Sequence, residues 1–216
     1  MAKTKTTKGT ANGSRADVQS LRPAMAELER ALTWAAEGTD TLKTPIVPTI
    51  QTKGKKTSCV GWFLPDSWST REGTICHEIN FCAEHLNRDP QAIVATAIHE
   101  VTHVWCHQMG VKDVSKGGRH NKKFKEYAEI LGLECAPPLD SKGYAYTTPT
   151  AELEKRITKE FKPDVSALNL FKLASAGRRP TAATKMRKYS CDCTTVRCAT
   201  DLKAECEACG TAFEQA

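Results

Sequence analysis

Apolar residues at Val18, Leu21, Met25, Leu28, Leu32 and Ala35 recur in steps of three and four and stop before Gly38, which predicts an amphipathic helix capped by Asp17. Between Pro45 and Leu86 the period shortens toward two, with β-branched and aromatic residues broken by Gly and Pro in IVPTIQT, SCVGWFL and TICHEINFCAEHL. Three strands are expected there, paired antiparallel. In the last, Ile75, His77, Ile79 and Phe81 share one face and Cys76, Glu78, Asn80 and Cys82 the other. Asn87-Arg-Asp-Pro90 stops that strand and starts a helix, with Asp89 as cap and Pro90 in the first turn; it runs to Gly110 and is apolar at Ile93, Val94, Ala97, Ile98, Val101, Val104 and Trp105. After the polar loop GVKDVSKGG a second helix is expected from near Arg119 to Gly132, and a charged helix, AELEKRITKEF, follows a loop over 136–148. The element order is that of an α+β protein.

A length of 216 residues with 40% hydrophobic content supports one core plus appendages. Residues 1–16 read as a disordered basic tail, 17–135 as the core, 136–188 as an extension and basic linker with one helix, and 189–214 as a cysteine-bearing module. The N-terminal MAKTKTTKGTANGSR lacks the apolar segment of a signal peptide, and no run is long enough to cross a bilayer. The expected location is therefore intracellular, cytoplasmic or nucleoid-associated, without membrane contact. In that reducing setting the ten cysteines should be free thiols or metal ligands. The net charge of +6 concentrates in the linker, where Arg178, Arg179, Lys185, Arg187 and Lys188 stand without an acid between them and are candidate nucleic-acid contacts.

The buried helix carries IHEVTHVWCH. His99 and His103, four apart, sit one above the other on one helix face, at the spacing two ligands of a single zinc ion need; Glu100 stands beside the first. This is H-E-x-x-H, in which two imidazoles hold Zn²⁺ and the glutamate is the general base. Mere decoration of a helix is the weaker reading, because burying polar groups without partners costs roughly 2–7 kcal/mol each. A catalytic zinc needs a third protein ligand. His107 continues the row but lies about 12 Å along the axis from His99, too far for all three to share an ion, and is expected to be a polar residue near the helix end. His120, after a Gly-Gly loop, is the favoured third ligand, with Glu126 and Glu129 as alternatives. His77 and His85 are read as packing residues.

With ICHEINFCAEHL before IHEVTHVW, GGRHNKKF after it, and a cysteine pair near the end, the chain resembles the SprT-like zinc metallopeptidases, the group that includes Spartan. The likeness spans roughly Asp17 to Leu133 and the terminal cysteines. It implies a zincin-like core (an N-terminal helix, a small antiparallel sheet and two active-site helices) with His99, His103 and His120 as ligands, Glu100 as base and Phe124 as a packing residue. Where the family often has glycine after the third histidine this chain has Asn121, a residue that tolerates left-handed backbone angles.

Near the end, Cys206 and Cys209 form C-x-x-C followed by Gly210, a zinc knuckle, and Cys191 and Cys193 supply the other half of a Cys₄ ribbon, with Cys198 as a rival ligand. Two zinc ions are therefore expected, one catalytic and one structural. The expected function is a zinc metalloendopeptidase acting on protein substrates, with the strand around Ile75–Cys82 pairing with an extended substrate. The resemblance and the basic linker extend this to DNA-associated or DNA-crosslinked proteins. The competing reading is a non-catalytic, zinc-ribbon nucleic-acid-binding or regulatory adaptor built on a metallopeptidase-like core.

Overall fold

A computed structural model describes residues 19–39, 42–52, 59–173 and 186–215; Asp17, Val18, Arg178, Arg179 and Lys185 lie outside them. Helix α1 spans Arg22–Glu37, five residues beyond the expected Asp17 cap, because Pro23 occupies the first turn, where a missing N–H costs nothing. Its buried stripe is Ala24, Leu28, Ala31, Leu32 and Ala35. Glu27, on the same side, accepts from Arg30, whose guanidinium also donates to the carbonyls of Phe161 and Lys162. That buried charge is thereby paired rather than stranded.

Strands β1 (Ile46–Gln51), β2 (Gly61–Ser69) and β3 (Ile75–Cys82) form one sheet in the order β1-β3-β2. It is mixed, not wholly antiparallel: β2 runs against β3, but β1 runs parallel to it, Ile46 opposite His77. The expected faces of β3 hold, with Ile79 and Phe81 in the apolar core and Glu78 on the other side, bonded by Thr49, Gln51 and Trp68. As the middle strand, β3 has no free edge for a substrate; β1 and β2 are the outer strands, and β2 is the one that begins beside Glu100.

Helix α2 (Pro90–Gln108) begins where expected, the Asp89 carboxylate accepting from the Gln91 N–H at 2.8 Å. Its Ile93, Val94, Ala97, Ile98, Val101 and Val104 fill the centre of the core. A two-stranded hairpin, β4 (Val114–Ser115) and β5 (Arg119–His120), precedes α3 (Lys122–Ile130). The second helix thus starts three residues later than its sequence suggests, and His120 stands on a strand rather than on a helix. Strand β6 (Leu133–Cys135) pairs with β7 (Thr147–Pro149), so part of the expected 136–148 loop is sheet. Helix α4 (Ala151–Arg156) continues as a π-helical turn through Phe161 and buries Leu153, Ile157 and Phe161 in the same core.

The chain accordingly divides into two units, Met1–Ala174 and Ser175–Ala216, with a boundary well beyond residue 135: the extension as far as Leu168 packs into the first unit's core, and 175–188 falls in the second unit. In the second unit, β8 (Arg187–Ser190) lies between β9 (Thr195–Cys198) and β10 (Glu214–Gln215). The architecture is α+β, with small sheets and, among the described residues, four α-helices.

Candidate metal centre

One turn of α2 stacks His99 over His103, and the β4–β5 hairpin carries His120 back to them. Gly117 and Gly118 make that reversal possible, with φ of +82° and +78° that residues bearing a Cβ rarely adopt. The chain on either side then fixes His120: its N–H donates to the Lys142 carbonyl and its carbonyl accepts from Tyr144. A Cβ on Gly143 would lie 2.1 Å from the His120 carbonyl oxygen, so this close approach requires glycine.

The result is a convergence of ring nitrogens. His120 Nε2 is 3.2 Å from His99 Nε2 and 3.0 Å from His103 Nε2. Two nitrogens bound to one tetrahedral zinc at about 2.05 Å stand about 3.3 Å apart, so the three imidazoles fit a single metal ion. Beneath them lies Phe124, fully buried, with its ring centre 4.5–4.7 Å from all three. Burial, reinforced by His103 and His120, holds His99 well below the usual imidazole range. Burial likewise pulls His120 to about 4, with His103 adding to the effect. Both rings are therefore neutral near pH 7, the form that donates to a metal.

The outer nitrogens set the tautomers. His103 Nδ1 pairs with the Asp113 carboxylate, and His99 Nδ1 lies 2.9 Å from Thr147 Oγ1. With Nδ1–H donating in each case, Nε2 is left bare for the ion. His120 Nδ1 has no hydrogen-bond partner among the described residues. Asp113 is itself held by Asn121, whose Oδ1 accepts from the N–H groups of Lys123 and Phe124 while its Nδ2 donates to the Lys112 carbonyl and its N–H to the Asp113 carbonyl. Asn121 has φ −100°, an ordinary N-cap, so its left-handed tolerance plays no part here; it ties the helix start to the loop that carries Asp113.

Glu100 is 4% exposed and sits beside Gly61, where a Cβ would come within 3.0 Å of Glu100 Oε1 and 2.9 Å of the Asn80 carbonyl. Glycine at the start of β2 thus keeps space open next to the carboxylate. His99, Glu100 and His120 line a cleft of about 800 Å³ together with Gly61, Tyr146 and Thr147. Cys135, also in its wall, is pushed by burial to about 11 and is a poor nucleophile.

The alternative third ligands are engaged elsewhere: Glu126 with Lys123 at 2.7 Å and Glu129 with Lys125 at 3.5 Å. His107 lies outside this cluster, as does His77, which is buried in the sheet. Sequence reasoning missed Asp113, Thr147 and Gly61. Asp113 had the best available signal, a carboxylate in the short loop joining the helix of two ligands to the third.

In the second unit, Cys191, Cys193, Cys206 and Cys209 gather, with Sγ–Sγ distances of 3.8 Å for Cys191–Cys193 and 3.5 Å for Cys193–Cys206. Thiolates on a tetrahedral zinc at about 2.3 Å stand about 3.8 Å apart, so this set also fits one ion. Hydrogen bonds from the Thr211 hydroxyl and amide draw the Cys209 thiol down to about 6, while Cys209, Cys206 and Cys191 crowd Cys193 up to about 12. Cys198, the rival ligand, faces Thr200 at 3.7 Å and is not in the cluster. Of the linker cations, Arg187 pairs with Asp201, and Lys188 is exposed on β8.

No family model, curated protein or solved structure matches this chain. No helix among the described residues is long and apolar enough to cross a membrane.

Proposed function

We propose that this protein is a zinc-dependent metalloendopeptidase of SprT-like, zincin type, with a second, structural zinc in its cysteine ribbon. The carrying observation is the meeting of three imidazoles, His120 Nε2 standing 3.2 Å from His99 Nε2 and 3.0 Å from His103 Nε2, with the buried Glu100 carboxylate beside the first, where His99, Glu100 and His120 line an open cleft. A binding-only centre has no use for Glu100 in that position. Zinc in the His site would polarise a peptide carbonyl and make water acidic enough to be deprotonated near neutral pH.

The chain's own residues carry the remaining steps. His99, His103 and His120 fix the ion, and Asp113 and Thr147 hold two of the rings in register. Glu100 takes the proton of the attacking water on its carboxylate and passes it to the departing amine nitrogen, so that the peptide leaves neutral. The free edge of β2, beginning at Gly61 beside Glu100, offers backbone donors and acceptors to an extended segment of substrate. The substrate class is therefore an unfolded or extended stretch of protein. Attachment of that protein to DNA is a further expectation, which rests on the family resemblance and the cationic linker.

The test is Glu100→Gln, assayed on an unfolded protein substrate with zinc counted in parallel. Turnover should fall by at least about 100-fold, the usual contribution of a general base, with both zinc ions retained. Undiminished cleavage by the variant would remove Glu100 from the role of base, and no cleavage by the unmodified chain would return the molecule to the adaptor reading.

A further inference from the structure

A second histidine cluster lies outside the cleft. Asp66 on β2, His77 on β3 and His107 near the end of α2 bring one donor atom each to within 4.8 Å of one another. We infer that these three residues form an additional binding site for a divalent transition-metal ion, distinct from the His99–His103–His120 centre and from the cysteine knuckle.

The inference rests on which atoms face each other. The Asp66 backbone N–H donates to His77 Nδ1 at 3.1 Å, so that nitrogen carries a lone pair and the proton sits on Nε2. Yet Nδ1 also faces Asp66 Oδ1 at 3.4 Å, and His107 Nε2 faces Asp66 Oδ2 at 3.6 Å. Two imidazole nitrogens thus converge on the two oxygens of one carboxylate, and an ion bound at His77 Nδ1 would take over the lone pair that the Asp66 N–H now occupies. Ligands of one borderline-soft ion bonded at about 2.0–2.2 Å would stand at nearly these separations. Imidazole and carboxylate together suit zinc, cobalt or ferrous iron.

Three features of the fold hold the set in place. The pairing of β2 with β3 breaks between Leu64 and Trp68, and Asp66 sits in that irregularity with φ +50°, which turns it out of the regular ladder. His77 is 2% exposed, wedged between Phe63 and His107, so packing holds its ring with Nδ1 turned toward Asp66. Phe63 fills the space between the two histidine groups: it lies parallel to His103 at 6.5 Å and edge-on to His77 at 5.4 Å and His107 at 5.8 Å. The two clusters are therefore separate sites on one helix rather than one diffuse patch.

An ion here would join β2, β3 and α2, closing the exposed strand onto the end of the helix. Asp66 and His107 are exposed, so open coordination positions face water and exchange is faster than at the other two centres. This site does not depend on the peptidase reading, since its test counts ions and measures melting without any substrate.

Zinc alone, titrated into the full chain and counted by native mass spectrometry, should give three equivalents, one for each donor group. His107→Ala and Asp66→Asn should each lose one equivalent. Both changes are at exposed positions, and asparagine tolerates the positive φ of residue 66. His120→Ala should lose a different one, and the His107→Ala/His120→Ala double variant should lose both. Saturating zinc should also raise the melting temperature of the unmodified chain above that of His107→Ala. Two equivalents in the unmodified chain, or the same count in His107→Ala as in the parent, would overturn the proposal and leave the three residues sharing a proton.

Discussion

The His₃ and Cys₄ centres gather donor atoms at similar spacings, 3.0–3.2 Å and 3.5–3.8 Å, on opposite kinds of support. Around the histidines the chain has already built the site: Val101, Val104 and Phe124 are at 0% exposure, Asp113 and Thr147 hold the outer nitrogens, and Gly143 admits the His120 backbone. Around the cysteines it has built little. Among the described residues of that unit only Tyr189 and Cys206 are buried. The first set of donors is embedded in a packed apolar core, whereas the second has almost no buried side chains around it among the described residues. Preorganised ligands suit a site that must keep a coordination position open for chemistry, whereas a closed Cys₄ site is free to use binding energy for folding.

Metal removal should split the two regions most sharply. With a strong chelator present, amide hydrogen exchange in β8, β9 and β10 should rise to near the unprotected rate while α1 and α2 stay protected, because apparent zinc-binding energies of about 10–16 kcal/mol are the folding energy of such knuckles. Simultaneous loss of protection in both regions would end the distinction. From the other side, Phe124→Ala should cost the first unit about 3–5 kcal/mol in denaturant unfolding, since it empties the floor under three imidazoles, and should leave ribbon protection unchanged.

The same contrast governs what the sequence discloses. His99, Glu100 and His103 are legible because a buried helix imposes a period, and polar residues that interrupt an apolar stripe stand out against it. The knuckle is legible because its ligands are cysteines at a fixed short spacing. His120 is legible by residue type but not by element: a hairpin of two-residue strands is too short to leave a pattern, so the ring was expected on a helix it only precedes. Alternation marks β1, β2 and β3 as strands but carries no information on neighbour order or direction, so the parallel β1–β3 pair and the central place of β3 were invisible. The extension past residue 135 looked peripheral because Leu153, Ile157, Phe161 and Leu168 are sparse in sequence; only the fold shows them reaching one core.

The two groups behind the ligands differ in charge, which ranks the next pair of effects. Asp113→Asn keeps the shape of the contact to His103 but replaces an ionic acceptor with a neutral one, and zinc affinity at the His₃ centre should fall about 10–100-fold, read by competition with a chromogenic chelator. The ribbon zinc should not change in the same titration. If both affinities fell together, the His₃ centre would not be held by its own surroundings in the way its geometry implies.

Thr147→Val should have the smallest effect. The Thr147 hydroxyl accepts from His99 Nδ1–H at 2.9 Å, a neutral hydrogen bond worth about 0.5–1.5 kcal/mol, against roughly twice that for an ionised acceptor such as Asp113. Valine preserves the β-branched shape that β7 needs opposite Cys135, so the strand pair should persist and the ring lose only its acceptor. Zinc affinity should drop by no more than about 10-fold, with thermal stability nearly unchanged. A loss as large as that of Asp113→Asn would mean that burial of the His99 Nδ1–H, rather than the charge of its partner, decides how firmly the ligand is oriented.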